Sequence, residues 1–139
     1  MRPVVLDSWA VLAWLRAEEP AATAVDALFD ASGRRALALH MSIINLAEVW
    51  YVTARRHGQG RADTVRDALM IAPFGVEAAT DARVWRAGAL KSQHRLALAD
   101  AFAAALAIEL EAELATGDPE LKALGEVSPL RLRWLTRGA

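Results

Sequence analysis

The sequence predicts an α/β domain: a mainly parallel central sheet of about five strands, flanked by helices on both faces. Three observations predict it. Short apolar runs alternate with longer helical segments from one end of the chain to the other, the order that parallel strands joined by helical crossovers require. Helix caps and breakers fall between those segments, and no internal repeat or linker divides them, so residues 1–139 are expected to form one domain. At 139 residues, with 55% hydrophobic and 24% charged side chains, the chain has the length and composition to bury a core without staples.

The elements follow in order. Pro3 to Leu6 is a valine-rich run that reads as a buried strand and stops at Asp7-Ser8. Ser8 is a candidate cap for a first helix, in which Trp9, Leu12 and either Ala13 or Arg16 follow at helical spacing. Pro20 suits the first turn of a second helix, which runs through Ala24, Leu28 and Phe29 to the breaker Ser32-Gly33. Ala36 to His40 is the second strand. Ser42 stands at the N-cap of a third helix that reaches His57 and stops at Gly58. Between Ile43 and Val52 its only strongly polar side chains are Asn45 and Glu48, so a helix buried nearly all round is expected. Ala62 to Ile71 reads as a fourth helix ended by Pro73, Gly75 to Ala78 as a third strand, and Asp81 to Gln93 as a fifth helix. Leu98, Phe102, Leu106 and Leu110 recur every four residues as the stripe of a sixth. Ala112 to Thr116 is a short strand of weak strand formers, and Asp118-Pro119-Glu120 opens a helical turn. Leu130 to Leu135 alternates as LRLRWL, which places a half-exposed strand last.

Composition excludes several classes. Without cysteine there is no disulfide framework and no thiolate metal site, which suits a cytosolic protein. Asp7 interrupts the apolar N-terminus and no small-residue cleavage site follows, so a signal peptide is not expected. The longest weakly charged run, Leu96 to Ile108, is too short to span a bilayer. With 16 basic and 17 acidic side chains, the net charge of -1 supplies no global positive field, and any nucleic-acid reading rests on local features.

The acids are the informative residues. In an open α/β sheet, ligands gather beyond the carboxyl ends of the strands. Asp7 follows the first strand and Asp118 follows the strand ending near Thr116, so both belong to that edge; Asp100 begins a helix and Glu48 lies inside another. Taken singly, each has an ordinary structural reading: Asp118 as an N-cap, Asp100 as a first-turn acid favoured by the helix dipole, Asp7 as a turn residue. Glu48 fits such a reading least, because a carboxylate on so apolar a helix needs a cationic partner or a metal. Gathered together, the four would repel one another and shift towards protonation unless a cation held them. Oxygen ligands without Cys or clustered His suit Mg²⁺ or Mn²⁺ over zinc. Such an ion binds a phosphate oxygen and acidifies water, the chemistry of phosphodiester hydrolysis. Ser8 and Thr116 stand beside this edge as candidates to hydrogen-bond a carboxylate or a metal-bound water.

The four acids lie in four motifs: VVLDSWAVLAWL with Asp7, SIINLAEVWYV with Glu48, LALADAFAAALA with Asp100, and ATGDPEL with Asp118. In this order, over nearly the whole chain, the sequence resembles the PIN-domain family, specifically the VapC-like ribonuclease toxins of prokaryotic toxin–antitoxin pairs. The resemblance implies a compact α/β fold and a metal-dependent endoribonuclease with four acids around one or two Mg²⁺ or Mn²⁺ ions. It also implies an RNA substrate, a cognate antitoxin protein and a homodimer. By it, Asp7, Glu48, Asp100 and Asp118 carry over as catalytic and metal-site residues, with Ser8, Asn45 and Thr116 orienting them. The family's last motif often ends in an aromatic where this chain has Leu121.

Other readings compete. One is a catalytically inactive PIN-like module that binds RNA or protein. Another is a phosphoacceptor signalling domain of flavodoxin-like topology, which would want a paired acid near the first strand and a late lysine; here the first strand is followed by Asp7-Ser8, and Lys122 lies in a helical turn. Arg55, Arg56, Arg61 and Arg66 cluster where two helices meet and are candidate RNA contacts, since an acidic metal site needs cations nearby to hold phosphates. Arg131, Arg133 and Arg137 read as a solvated face, and His40, His57 and His94, which lack paired metal spacing, as surface or end-of-element residues. Trp9, Trp14, Trp50, Tyr51 and Trp85 sit among apolar neighbours, as core or interface residues do.

Overall fold

The computed structural model describes residues 1–71 and 74–136. Five strands form its sheet: β1 (Arg2–Leu6), β2 (Leu37–Ser42), β3 (Gly75–Glu77), β4 (Glu113–Thr116) and β5 (Arg131–Trp134). Their order is β3-β2-β1-β4-β5, and each neighbouring pair is parallel, so the sheet is wholly rather than mainly parallel. The helices are α1 (Ser8–Leu15), α2 (Ala21–Gly33), α3 (Ile43–His57), α4 (Gln59–Leu69), α5 (Asp81–Gln93), α6 (Leu98–Glu109) and α7 (Pro119–Val127). This strand order differs from the flavodoxin-like 2-1-3-4-5. The phosphoacceptor topology is therefore not the one adopted.

Period two in the central strand decides which helices lie on which face. Val4 and Leu6 of β1 join a core with residues of α1, α2 and α3, including Val11, Val25, Leu46 and Val49. Val5, pointing the other way, joins a second core with Phe102 and Leu106 of α6, Leu114 of β4, and Leu121 and Leu124 of α7. All three β1 residues are fully buried, as expected of a parallel strand covered on both faces.

Several local expectations are corrected. The cap of α1 is Asp7, not Ser8: Asp7 keeps the extended backbone of a cap, φ -93° and ψ 179°, and accepts from Ala10 N, while the Ser8 hydroxyl is engaged with Asn45. The helix α3 is not buried all round: Asn45, Leu46, Val49 and Thr53 face inward while Ala47 and Tyr51 are exposed, so it lies on the domain surface. The helix α4 begins at Gln59, three residues earlier than Ala62, because Gly58 at φ +91° turns the chain directly from one helix into the next. The stop expected at Pro73 lies outside the described residues. In α6 the expected stripe holds at Phe102 and Leu106, but Leu98 is exposed, and Ala101, Ala103, Ala104 and Ala107 complete the buried face. Among the described residues, no helix is long and apolar enough to cross a membrane.

Candidate metal centre

In this strand order the chain passes from β1 outward to β2 and β3, then returns across β1 to β4 and β5, so β1 and β4 flank the switch point where ligands collect at the carboxyl edge. Asp7 leaves β1 there and is 1% exposed. Its Oδ1 accepts from Ala10 N at 2.8 Å, and its Oδ2 accepts from the Thr116 hydroxyl at the end of β4. The same hydroxyl oxygen accepts from Asp118 N at 3.0 Å, and Asp118 Oδ1 accepts from Glu120 N at 2.9 Å, capping α7. Hydrogen bonds thus connect the carboxyl ends of β1 and β4 through Asp7, Thr116 and Asp118.

Gly117 makes that turn possible. A Cβ there would overlap the six-membered ring of Trp9, so only glycine lets the backbone between Thr116 and Asp118 approach the first helix.

Asp100 approaches from α6, where it lies in the first turn, two residues inside rather than at the first position. One carboxylate oxygen each from Asp100, Asp118 and Glu120 lies within 4.8 Å of the others. Burial chiefly, then the charges of Asp118, Glu120 and Glu48, push the Asp100 carboxyl up to about 7. The Asp7 carboxyl is likewise pushed up to about 7. Burial is again the main cause, opposed by its bonds from Thr116 and Ala10 and reinforced by Asp100 and Asp118. These electrostatic couplings place Asp7, Glu48, Asp100, Asp118 and Glu120 around one region of the carboxyl edge.

For Glu48, expected to have a cationic partner or a metal, the structure bears on the first alternative. It is half-buried, and its carboxylate accepts a long bond from the Tyr51 hydroxyl at 3.4 Å, with no ion pair to it among the described residues. Glu48 is only partly buried, and its charge acts on Asp100 across the cluster, so it belongs with the acids rather than with a cationic partner.

Ser8 and Asn45 tie the acid-bearing helices together. Asn45 Nδ2 donates to Ser8 Oγ at 3.0 Å and to the Ala99 carbonyl at 3.1 Å, while Ser8 Oγ donates to the Asn45 carbonyl at 3.3 Å. The bonded residues adjoin Asp7 and Asp100 in sequence, and Asn45 lies one residue short of a turn before Glu48. Asn45 is fully buried and its Oδ1 lacks a protein partner, so the amide is held entirely through its donors.

The donor set fits a hard divalent cation. It consists of carboxylate and hydroxyl oxygens, and no ion pair among the described residues involves any of the five acids. Two carboxyls held near neutrality by burial and mutual repulsion are a cluster whose ionised form a cation would stabilise.

Of the candidate RNA-contact arginines, Arg55 lies over the Tyr51 ring at 5.2 Å, and Arg66 pairs with Asp63 and Asp67. Arg56 and Arg61 line a slot with Leu12, Leu15, Val52 and Val65 between α1, α3 and α4. These arginines lie towards the far end of α3 from the acids. His40 is not a simple surface residue, since its Nδ1 lies 2.9 Å from Glu77 Oε1. Glu120 is the member of the acidic group that the sequence reading left as a helix-turn residue. Its position two residues after Asp118, at the start of α7, was the available signal.

A wholly parallel 3-2-1-4-5 sheet with an acid-lined carboxyl edge defines an α/β protein with a candidate cation site at its switch point. The PIN domain family model matches residues 4–127, and the chain belongs to that family. No curated protein sequence matches the chain significantly. Among solved structures, it is similar to a chain of the DNA-bound VapBC complex of Salmonella typhimurium, at 15% identity and a TM-score of 0.73, over 98% of this chain and 100% of that one. It is also similar to VapC20 of Mycobacterium tuberculosis, described as a Sarcin-Ricin loop cleaving toxin, at 19% identity and a TM-score of 0.72, over 88% of this chain and 95% of that one. VapBC2 of Rickettsia felis, bound to a DNA fragment from its promoter, aligns at 15% identity with a TM-score of 0.71 over 96% and 99%.

Proposed function

We propose that this chain is a Mg²⁺- or Mn²⁺-dependent endoribonuclease, the toxin of a VapBC-type toxin–antitoxin pair. The observation that carries the reading is the group of Asp100, Asp118 and Glu120, with carboxylate oxygens within 4.8 Å of one another and Asp7 and Glu48 coupled to it. Membership of the PIN family and the likeness to chains of VapBC complexes support it. A cognate antitoxin, a homodimer and a cytoplasmic location belong to the same reading.

Asp7, Asp100, Asp118 and Glu120 are the residues that would hold the ion, with Glu48 coupled to them through Asp100. When bound, the ion supplies a Lewis acid for a phosphate oxygen and for water. The chain's own residues supply preorganisation. Thr116 and Ala10 N fix both oxygens of Asp7, and Asn45 sets the spacing between the starts of α1 and α6. Glu48, whose charge acts on Asp100, would take the proton from an attacking water, and inversion at phosphorus would leave a 3′-hydroxyl on the departing strand.

Incubating purified protein with RNA in Mg²⁺, Mn²⁺ or chelator tests this. Metal-dependent internal cleavage that disappears in Asp100→Asn is expected. RNA binding without cleavage under any metal would instead establish the inactive binding module.

A further inference from the structure

A second feature opens beside the acids. A cleft of about 470 Å³ is lined by Trp9, Glu18, Glu19, Pro20, Ala21 and Thr136, within the size range of small-ligand sites. It adjoins the carboxylates directly: Trp9 lies two residues past Asp7, and its ring packs against Gly117, between Thr116 and Asp118. We propose that this cleft is a base-recognition subsite that takes a guanine next to the scissile phosphate, stacked on Trp9 and read by the carboxylate of Glu18; this rests on the nuclease reading above.

The chemistry of the lining selects the ligand. An aromatic ring beside a proline and an alanine offers the flat apolar surface on which unpaired RNA bases stack. The packing on Gly117 holds that ring in place. Glu19 is already engaged, its two oxygens accepting from the Thr23 hydroxyl at 2.8 Å and from Thr23 N at 3.3 Å. Glu18 has only a loose pairing to Arg16 at 3.9 Å, and its side chain is 55% exposed. Its backbone is anchored at both ends: the amide donates to Ala13 O at 2.9 Å, and the carbonyl accepts from Ala22 N at 2.8 Å. The carboxylate carried on this fixed backbone offers acceptors only. Guanine presents two adjacent donors on one edge, the N1 imino and the N2 amino, and so matches both oxygens. Adenine and cytosine offer an amino group flanked by an acceptor, and uracil an imino group between two carbonyls, each of which a carboxylate repels.

The test follows the Trp9 indole N–H resonance, assigned with Trp9→Phe, while GMP, IMP, AMP, CMP and UMP are titrated into the protein in Mg²⁺. GMP is expected to shift it and to bind about tenfold more tightly than AMP, CMP or UMP, with IMP, which lacks the N2 amino group, in between. In Glu18→Gln the preference for GMP is expected to collapse, and sequencing the ends of a cleaved random RNA pool should show guanine enriched beside the cut for the wild type only. Equal binding of all five nucleotides, shifts that spare Trp9, or a guanine preference that survives Glu18→Gln overturns the subsite. If RNA is cut without base preference, the subsite fails and the nuclease stands; if GMP binds as described and no RNA is cut, the nuclease reading fails and the subsite stands.

Discussion

Two groups of carboxylates in this molecule are treated in opposite ways. On the β3 side, Glu77 and Glu109 are met by cations: Arg83 forks onto Glu109 at 3.2 and 3.1 Å and reaches Glu77 at 3.4 Å, Arg86 adds a bond to Glu109 at 2.9 Å, and His40 holds Glu77. The Arg83 fork, with Arg86 beside it, holds the Glu109 carboxyl below its usual range, and the Glu109 carboxylate raises the Arg83 guanidinium. At the carboxyl edge of β1 and β4, no ion pair among the described residues neutralises the acids, and Asp7 and Asp100 are pushed up to about 7. The first cluster is electrostatically complete as protein. The second is destabilised as it stands, and the deficit is one that a divalent cation can supply.

Breaking the unpaired cluster should have the largest effect. Asp100→Asn removes a charge that the ion would need, and RNA cleavage is expected to fall by about 10³-fold or more, measured as initial rates in Mn²⁺. In chelator the same variant should be more stable than the wild type above pH 7, because a repelled charge is gone.

The pH dependence of the metal-free protein sharpens the contrast. The folded pKa values of Asp7 and Asp100, about 7, lie above the ordinary aspartate value of 3.8. The folded state therefore keeps its protons longer than the unfolded state, and stability falls as pH rises from about 4 through 7, then levels off. For buried Asp7 the loss is on the order of a few kcal/mol. Urea midpoints at pH 5 and pH 8, with chelator and with Mg²⁺ or Mn²⁺, should show the metal stabilising strongly at pH 8 and weakly at pH 5.

Asn45→Ala probes how the acids are held. Loss of the bonds to Ser8 and Ala99 should weaken Mn²⁺ binding by about 10–100-fold in calorimetry. The smallest effect should come from the satisfied cluster. Arg83→Met is expected to cost about 1–3 kcal/mol of stability in thermal melts, with Mn²⁺ affinity unchanged. A comparable loss of metal affinity in Arg83→Met would erase the distinction between the two regions.

Much of the fold was legible because hydrophobic period and breakers are local properties. Valine in β1, the caps Ser42 and Asp118, and Gly58 each act within a few residues, and the elements they predict are present. Glu48 shows where local reading stops. Its neighbours in sequence are apolar, but Ala47 and Tyr51 face solvent while Leu46 and Val49 are buried, and only the packing of α3 against α1, α4 and α6 decides which. The capping of α1 is similar, since Asp7 and Ser8 are both good caps and the choice falls to Asp7, whose other oxygen is taken by Thr116, 109 residues away.

The sequence by itself determined the alternation of strands and helices, the absence of thiolate ligands, and three of the four acids at or near element starts, with Glu48 inside a helix. The tertiary structure alone decided that β4 lies beside β1, that Glu120 joins Asp100 and Asp118, that Asn45 bridges two helix starts, and that Trp9 covers Gly117 at the mouth of a cleft. The reason is physical. Periodicity and capping depend on neighbours along the chain, whereas the repulsion among carboxylates depends on distances set by strand order.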